Sequence, residues 1–341
     1  MLETTWFVLW GILWAIYFAL DGYDFGLGMN MPFLARSEDD KRVIYNVAGP
    51  FWDGNQVWLV TAGGVTFAAF PGTYAVLFSS LYTPLLLLLF ALIFRGVSFE
   101  FRRKVDSQRW RNFWDGCNVL GSFLPALLFG VAFANIFMGI PLNAEQINEG
   151  NLLTLLNPYG LAGGVLFVFL FSLHGGLWLA VRAQGEMEQR AATWSNRMWY
   201  AVLFTVVAFL ILSLIYTDLL ANYVANPLLL FVLLIIILGL VQTKAFLLQE
   251  TYSKAWACSA VTILSLTLFG ILGIFPSLLP STIDPAYSMT IANSASSTLT
   301  LQIMLGVAVI FVPLVIAYQS WVYLRFSHKI TAEDLDYEEA Y

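Results

Sequence analysis

Long apolar runs recur along the chain of 341 residues, and their length gives the first structural prediction. Stretches such as LLLLLFALIF at 85–94 and LLLFVLLIIILGL at 228–240 lack the alternation of a half-buried strand. Runs of about 20 such residues match the thickness of the hydrocarbon layer of a bilayer. We predict an all-α integral membrane protein, because a lipid-facing β-barrel would show short alternating segments instead.

About nine transmembrane helices are predicted from these runs. The predicted spans are 6–27, 52–70, 73–95, 116–138, 159–182, 198–220, 227–248, 256–276 and 301–325. The second span is the least regular, because glycine and polar residues interrupt it. No long linker or soluble segment separates the spans, so residues 1–341 are predicted to form a single polytopic membrane domain.

The distribution of positive charge predicts the orientation of these spans. With nine alternating spans, all 16 Lys and Arg residues fall on one side, and dropping the second span would scatter them over both. Because cytoplasmic flanks collect Lys and Arg, we expect the N-terminus outside and the C-terminus in the cytoplasm. Only 11% of residues are charged, against about 25% in soluble domains. The net charge of -6 gives no support for nucleic-acid binding.

Residues that could ligate a metal are scarce. The chain has two histidines, His174 in the fifth predicted span and His328 near the C-terminus, and their separation is not that of a ligand pair. We predict no metal site in this chain and interpret His174 as a hydrogen-bonded packing residue rather than a lone ligand. Cys117 and Cys258 are far apart and are interpreted as packing residues.

Four charged residues are predicted to meet at the cytoplasmic ends of the first, third and fourth spans. Asp21 and Asp24 share a helix face, Arg95 ends the third span, and Asp115 begins the fourth. A carboxylate is tolerated in a low-dielectric environment when an arginine pairs with it. Our hypothesis is that Asp24 and Asp115 clamp Arg95. The alternative is that each charge reaches the membrane interface separately.

Asp53 occurs in the stretch GPFWDGNQVW, at the start of the second predicted span. No basic residue lies three or four positions away, and an intramembrane carboxylate without a local partner is a functional candidate. Two interpretations stay open: a group that takes up and releases protons, or a helix N-cap. Its neighbours Trp52, Asn55, Gln56 and Trp58 are the residues expected to position it and to limit its hydration.

Several motifs together resemble subunit II of the cytochrome bd-type quinol oxidases. The matching stretches are DGYDFGLGM at 21–29, GPFWDGNQVWLVTAGG at 49–64, FAAFPGTYA at 67–75, FRGVSFEFR at 94–102, RWRNFWDG at 109–116 and FPSLLPST at 275–282. They follow one another along nearly the whole chain. GPFWDGNQVW and RGVSFEFR are long and unusual, which makes the resemblance specific.

The resemblance implies a heterodimer of two similar helical subunits in the bacterial cytoplasmic (inner) membrane. Each subunit would consist of two four-helix bundles plus one peripheral helix. The complex would oxidise quinol and reduce oxygen to water, building a membrane potential without pumping. Two b-type haems and a haem d, or a third haem b, would be ligated by subunit I. A short single-pass accessory subunit often joins such complexes, and some members hold a structural quinone in subunit II.

The same resemblance implies roles for individual residues. Asp53 would lie on a proton route from the cytoplasm to the oxygen-reducing haem. Asp24, Arg95 and Asp115 would hold the fold or the mouth of that route. Two other functions remain as alternatives: an ion-coupled secondary transporter, and a passive scaffold that takes no part in proton movement.

Overall fold

The computed structural model describes residues 1–331 and 334–335, and most of them are helical. The α-helices are α1 (Leu2–Leu34), α2 (Glu38–Ala48), α3 (Trp52–Ala69), α4 (Pro71–Ser80), α5 (Tyr82–Phe101), α6 (Gln108–Met138), α7 (Pro158–Arg182), α8 (Gly185–Tyr216), α9 (Leu219–Ala225), α10 (Leu230–Leu248), α11 (Tyr252–Ile274), α12 (Ile291–Ser294) and α13 (Thr298–Arg325). The remaining elements are three 3-10 turns, Leu152–Leu156, Pro227–Leu229 and Pro285–Tyr287, and two strands, β1 (Ser277–Leu279) and β2 (Met289–Thr290).

Eight helices in the described part of the chain are long and apolar enough to cross a membrane. They are α1, α5, α6, α7, α8, α10 with the 3-10 turn before it, α11 and α13. The second predicted span is helical as α3, but α3 does not reach this level of hydropathy. The reason is its composition, since Asp53, Asn55 and Gln56 lie in its first turns. The second predicted span, and with it the predicted total of nine, is therefore not confirmed by this measure.

The third predicted span, 73–95, is broken into two helices. α4 ends at Ser80 and α5 begins at Tyr82, with Leu81 between them. Pro84 accounts for the break, because it has no N–H to donate to the carbonyl four residues earlier, at Ser80. Other helices run beyond their predicted ends: α1 continues to Leu34, and α8 begins at Gly185 instead of 198.

α1 lies at the centre of the molecule and packs against α3, α6, α7 and α11. A first group of helices consists of α1, α3, α5 and α6, in which α5 packs on α6. A second group consists of α7, α8, α10 and α11. The crossing of α1 and α7 depends on two glycines, because a Cβ at Gly26 would overlap the Phe171 carbonyl and the backbone of Gly175.

α13 is the peripheral helix. Only 6% of its membrane-length segment is buried, and it contacts α1 and α3. In the described chain much of its apolar surface is open, including Val309 and Leu314. A surface of this kind is covered by lipid or by another membrane subunit.

Two non-spanning segments have their own structure. α2 is amphipathic, and its buried residues include Ile44 and Tyr45. At its start, the Ser37 hydroxyl accepts a hydrogen bond from the Asp40 amide. The segment between α11 and α13 contains the antiparallel β1–β2 pair and α12.

Candidate functional site

Three charged residues form a buried cluster between α1 and α5. Asp21, Asp24 and Arg95 are 0%, 2% and 2% exposed. Arg95 Nη1 lies 3.2 Å from Asp21 Oδ1, and Nη2 lies 4.0 Å from Asp24 Oδ2. The guanidinium also lies 4.7 Å from the centre of the Phe25 ring. One guanidinium therefore faces two carboxyl groups in a low-dielectric environment, where pairing with a cation is the condition for burying a carboxylate.

Asp115 is not part of this pairing, which corrects the hypothesis that Asp24 and Asp115 clamp Arg95. Asp115 Oδ1 accepts a hydrogen bond from Arg102 Nε at 2.6 Å, and Asp115 Oδ2 accepts one from Lys41 Nζ at 2.8 Å. Arg102 also pairs with Glu38 of α2. We call Glu38, Lys41, Arg102 and Asp115 the rim cluster. Arg102 is the C-cap of α5, about two helical turns beyond Arg95, so the acids of α1 and α6 each have their own arginine.

The rim cluster is held by charge-assisted hydrogen bonds. Burial alone would lower the pKa of the Arg102 guanidinium, but the hydrogen bonds and charges of Asp115 and Glu38 outweigh it and raise that pKa. The Tyr45 hydroxyl donates to Asp115 Oδ1 at 3.2 Å. Burial, and then the charge of Asp115, raise the pKa of this hydroxyl well above its usual value. Both groups therefore remain protonated donors to Asp115 near neutral pH.

Asn55 and Gln56 of α3 join the buried cluster. Asn55 Nδ2 donates to Asp24 Oδ2 at 2.7 Å, and Gln56 Nε2 donates to Asp21. Asn55 Oδ1 accepts hydrogen bonds from Gln319 Nε2 at 3.0 Å and from Tyr323 OH at 3.2 Å. The network thus connects α1 through α3 to the peripheral helix α13.

Several atoms of the buried cluster make no hydrogen bond to any residue that the structure describes. Asp24 Oδ1, Arg95 Nε and Arg95 Nη2 are buried and make no hydrogen bond. A buried polar atom left without a partner costs about 1–3 kcal/mol, and buried water is the usual partner for such atoms. The cluster therefore retains hydrogen-bonding capacity that the surrounding side chains do not use.

Asp53 lies outside this network. It is exposed in the first turn of α3, and no ion pair or hydrogen bond of its side chain is found within the described chain. Phe51 is the N-cap of α3, with no side-chain cap bond, so the N-cap interpretation of Asp53 is wrong. Gly54 and Val57 beside it are exposed as well. Asp53 faces a surface that the described residues leave open.

The side chains predicted to support Asp53 turn elsewhere. Trp52 stacks on Phe99 with 5.0 Å between ring centres, and the buried Trp58 donates to Gln319 Oε1 at 2.6 Å. Asn55 and Gln56 face the acids of α1, as described above. Asp53 and Gln56 are three residues apart on α3, but their side chains have different surroundings. Gln56 donates to Asp21, whereas Asp53 is exposed.

His174 is fully buried between α1, α7 and α11. Its Nε2 donates to the Ala19 carbonyl at 3.0 Å, and its Nδ1 is hydrogen-bonded to the Ser259 hydroxyl. The ring also stacks on Trp256 with 5.4 Å between centres. Both ring nitrogens are occupied, which is the hydrogen-bonded packing role predicted for this residue.

An apolar cleft opens beside the hydrogen-bond network. Its volume is about 590 Å³, and α1, α3, α11 and α13 line it. Trp58, Trp256 and Tyr323 contribute aromatic surface, and Gln319 and Ser320 contribute polar groups. A concave apolar site of this size with a few polar groups is typical of small-molecule binding sites.

Several site residues were not predicted from the sequence. Tyr23, Gln319 and Tyr323 join the buried network, and Lys41 and Arg102 join the rim cluster. Arg102 lies within the motif FRGVSFEFR, which was a signal for its importance. Gln319 and Tyr323 lie in an apolar span with no motif, so only the packing of α13 on α3 shows their role.

Comparisons with known proteins agree with one another over almost the whole chain. The family model for cytochrome bd terminal oxidase subunit II matches residues 2–326. Cytochrome bd-I ubiquinol oxidase subunit 2 of Escherichia coli (strain K12) is 35% identical over 370 aligned positions, covering 98% of this chain and 97% of the relative.

A second relative and a solved structure extend this agreement. Cytochrome bd ubiquinol oxidase subunit 2 of Bacillus subtilis (strain 168) is 34% identical and covers 98% of both chains. The bd oxidase structure from Geobacillus thermodenitrificans shares the fold with a TM-score of 0.74 at 18% identity, covering 95% of this chain and 98% of that chain. The chain, a multi-pass protein of the bacterial inner membrane, therefore belongs to the family of cytochrome bd terminal oxidase subunit II.

Proposed function

We propose that this chain is the subunit of a bd-type quinol oxidase that ligates no haem. It supports a haem-bearing subunit I and contributes a proton route from the cytoplasm to the oxygen-reducing haem. Quinol oxidation and the reduction of oxygen to water would then build a membrane potential without pumping. The observation that supports this proposal best is the buried ionisable cluster of Asp21, Asp24 and Arg95, continued by Asn55 to α13.

The surroundings of the two histidines support assigning the haems to another subunit. Both nitrogens of His174 are already hydrogen-bonded, and Nε2 of the exposed His328 lies 3.4 Å from Asp334 Oδ1. The described residues include no group of three or more His, Cys, Asp and Glu side chains that could hold a metal ion. We assign two b-type haems, with a haem d or a third haem b, to subunit I.

The position of Asp53 supports a role at the boundary with subunit I. Its carboxylate is exposed on α3, while Asn55 and Gln56, two and three residues further on, turn into the buried cluster. A partner that covers this surface would place Asp53 between the two subunits, where a charge is costly unless it has partners or exchanges protons. The accessory single-pass subunit is a further proposed partner.

The test is quinol-driven oxygen uptake by the purified complex, normalised to bound haem. We expect Asp53→Asn to keep its haems and to lower the rate about tenfold or more, because proton transfer is slowed when its carrier is lost. Glu100→Gln is the matched control, since Glu100 is an exposed carboxylate of α5 outside both clusters. Equal rates for Asp53→Asn and wild type would mean that the route does not use Asp53.

The same experiment separates the proposal from its alternatives. A passive scaffold predicts that Asp53→Asn retains both haem content and rate. A secondary transporter predicts purification without any haem-bearing partner and without oxygen uptake. Family membership over residues 2–326 favours the oxidase subunit over the transporter.

A structural quinone is proposed for the apolar cleft that contains Trp58, Trp256 and Gln319. Its volume of about 590 Å³ suits a quinone ring and part of its tail, and Gln319 and Ser320 supply polar contacts. Filling the cleft with Ala260→Phe should reduce the quinone retained by the purified complex while haem content is unchanged. Ile237→Phe, on the exposed surface of α10, is the control. Unchanged quinone in Ala260→Phe would rule out this cleft.

A further inference from the structure

A second cleft lies where the end of α1 meets the beginning of α8. Its volume is about 460 Å³, and its walls include Phe33, Arg36, Arg190, Trp194 and Arg197. It is separate from the buried cluster, the rim cluster and the apolar cleft, because none of its lining residues belongs to them. The function proposed above makes no use of it.

Among the described residues, two of the three arginines in this cleft have no acidic partner, although Glu186 also lines it. Arg190 is paired, with Asp40 at 2.7 Å and with Glu186 at 3.4 Å. In the part of the chain that the structure describes, no carboxylate lies within ion-pair distance of the Arg36 or Arg197 guanidinium, and both residues are exposed. Arg190 Nε is also buried without a hydrogen-bond partner. The two exposed guanidinium groups, of Arg36 and Arg197, are thus available to an anion.

Apolar surface continues directly from this charged cleft. Tyr200, Phe204, Val207 and Ile211 follow Arg197 on one face of α8, at the spacing of successive helical turns. Their exposed fractions are 58%, 75%, 48% and 51%. This face belongs to a helix long and apolar enough to cross the membrane. The charged groups therefore lie at one end of an open strip of apolar side chains.

Aromatic side chains mark the transition between the charged and apolar parts. Phe33 is 65% exposed and stacks on Trp194, with 4.9 Å between ring centres and 18° between planes. Trp194 Nε1 donates to Ser172 Oγ at 3.1 Å, which fixes the indole. Aromatic residues of this kind are enriched at the level of lipid headgroups. The cleft therefore lies at the membrane–water interface, where a headgroup phosphate would be.

We propose that this cleft binds the phosphate of an anionic phospholipid, with the acyl chains lying along the Tyr200–Ile211 face of α8. Arg36 and Arg197 would bind the phosphate oxygens, since the planar guanidinium suits phosphate geometry. The apolar strip favours a lipid over a soluble phosphate, because only a lipid would cover both parts of the surface. The proposal concerns a surface of this subunit and does not depend on the proton route.

The first test measures lipid retention by native mass spectrometry. The purified complex is incubated in mixed micelles that contain phosphatidylglycerol or phosphatidylcholine. We expect phosphatidylglycerol to be retained preferentially. The double variant Arg36→Gln/Arg197→Gln should weaken its apparent affinity about tenfold or more, since each interfacial Lys or Arg contributes about 1 kcal/mol to anionic-lipid binding.

The matched control is Arg103→Gln/Arg109→Gln, which removes two exposed arginines elsewhere on the chain. It should retain phosphatidylglycerol as wild type does. Equal losses in both double variants, or no loss in either, would overturn the proposal. Glycerol phosphate that competes as well as phosphatidylglycerol would also overturn it, since the cleft would then be a site for a soluble anion.

A second measurement needs no variant and therefore does not depend on variant folding. Phosphatidylglycerol with a photoreactive group in one acyl chain is incorporated into membranes that contain the wild-type complex. We expect crosslinks within residues 200–211. Phosphatidylcholine that carries the same photoreactive group should label the same peptides at least several-fold less. Crosslinking equal for the two lipids, or no crosslinking in this segment because a partner subunit covers it, would contradict the proposal.

Discussion

Arg95 lies between two carboxylates of α1, and its 3.2 Å contact with Asp21 is the shorter of the two. All three side chains are buried, so none of them can exchange its partner for bulk water. Arg95 is the single cation of this group, so its removal leaves two buried carboxyl groups without a positive partner in a low-dielectric environment. Arg95 is therefore the residue of the cluster at which a substitution should have the largest effect.

We expect Arg95→Leu to abolish or severely reduce assembly. Losing one partner of a buried ion pair costs about 3–5 kcal/mol, and here two acids lose the same partner. The measurement is the amount of haem-containing complex recovered from membranes. Arg103→Leu is the control, because Arg103 is exposed and belongs to neither cluster. Recovery of Arg95→Leu at wild-type level would show that the buried pairing is dispensable.

The sequence predicted the partners of Arg95 only in part. The motif positions placed Asp24, Arg95 and Asp115 at one level of the membrane, and Arg95 does meet Asp24. Helical spacing gives the height of a residue and its direction on its own helix, but not the rotation of one helix against another. That rotation brings Asp21 to Arg95 and directs Asp115 to Arg102 and Lys41.

Close packing of α1 with α7 is the critical contact at the scale of the element. Gly26 and Gly175 face each other, and the backbones approach so closely that no side chain fits at either position. In membranes, small residues of this kind allow helices to pack without a hydrophobic driving force. Since α1 also contacts α3, α6 and α11, a shift of this crossing would affect most of the molecule.

Gly26→Ala should lower the thermal midpoint and the yield of the complex. The added methyl group would overlap the Phe171 carbonyl, and overpacking of this kind costs about 1–3 kcal/mol or more. Gly116→Ala on α6 is the control: no atom lies within 4 Å of a Cβ built there, and alanine favours helix. If the two variants had the same thermal midpoint, the close crossing of α1 and α7 would not determine the stability of this fold.

For the whole molecule, the contacts at the ends of the helices indicate how the chain crosses the membrane. Lys41 of α2 pairs with Asp115 of α6, so the end of α1 and the α5–α6 junction lie at the same end of the bundle. At the other end of α3, the Ala69 carbonyl accepts a hydrogen bond from the Ser296 amide, close to the beginning of α13. These contacts place the two ends of α3 at opposite ends of the bundle, and we infer that α3 completes nine crossings despite its polar residues.

Cysteine labelling tests this topology. In a background with Cys117 and Cys258 replaced by alanine, Glu145→Cys and Ile283→Cys should react with a membrane-impermeant maleimide in intact cells. Asp39→Cys and Lys104→Cys should react only after permeabilisation. If α3 did not cross, the Asp39→Cys and Lys104→Cys positions would lie on opposite sides and only one of them would be protected. Labelling of both from outside would reverse the orientation inferred from the positive charges.

The sequence by itself determined the class of the protein, its approximate spans and its family. Each of these rests on local information: apolar runs of bilayer length, a Lys and Arg content confined to alternate loops, and motifs such as GPFWDGNQVW. Only the tertiary structure decided the partner of Arg95, the exposed position of Asp53, and the place of Gln319 and Tyr323 in the buried network. The physical reason is that periodicity describes one helix at a time, whereas ion pairs and clefts depend on how several helices are rotated and packed together.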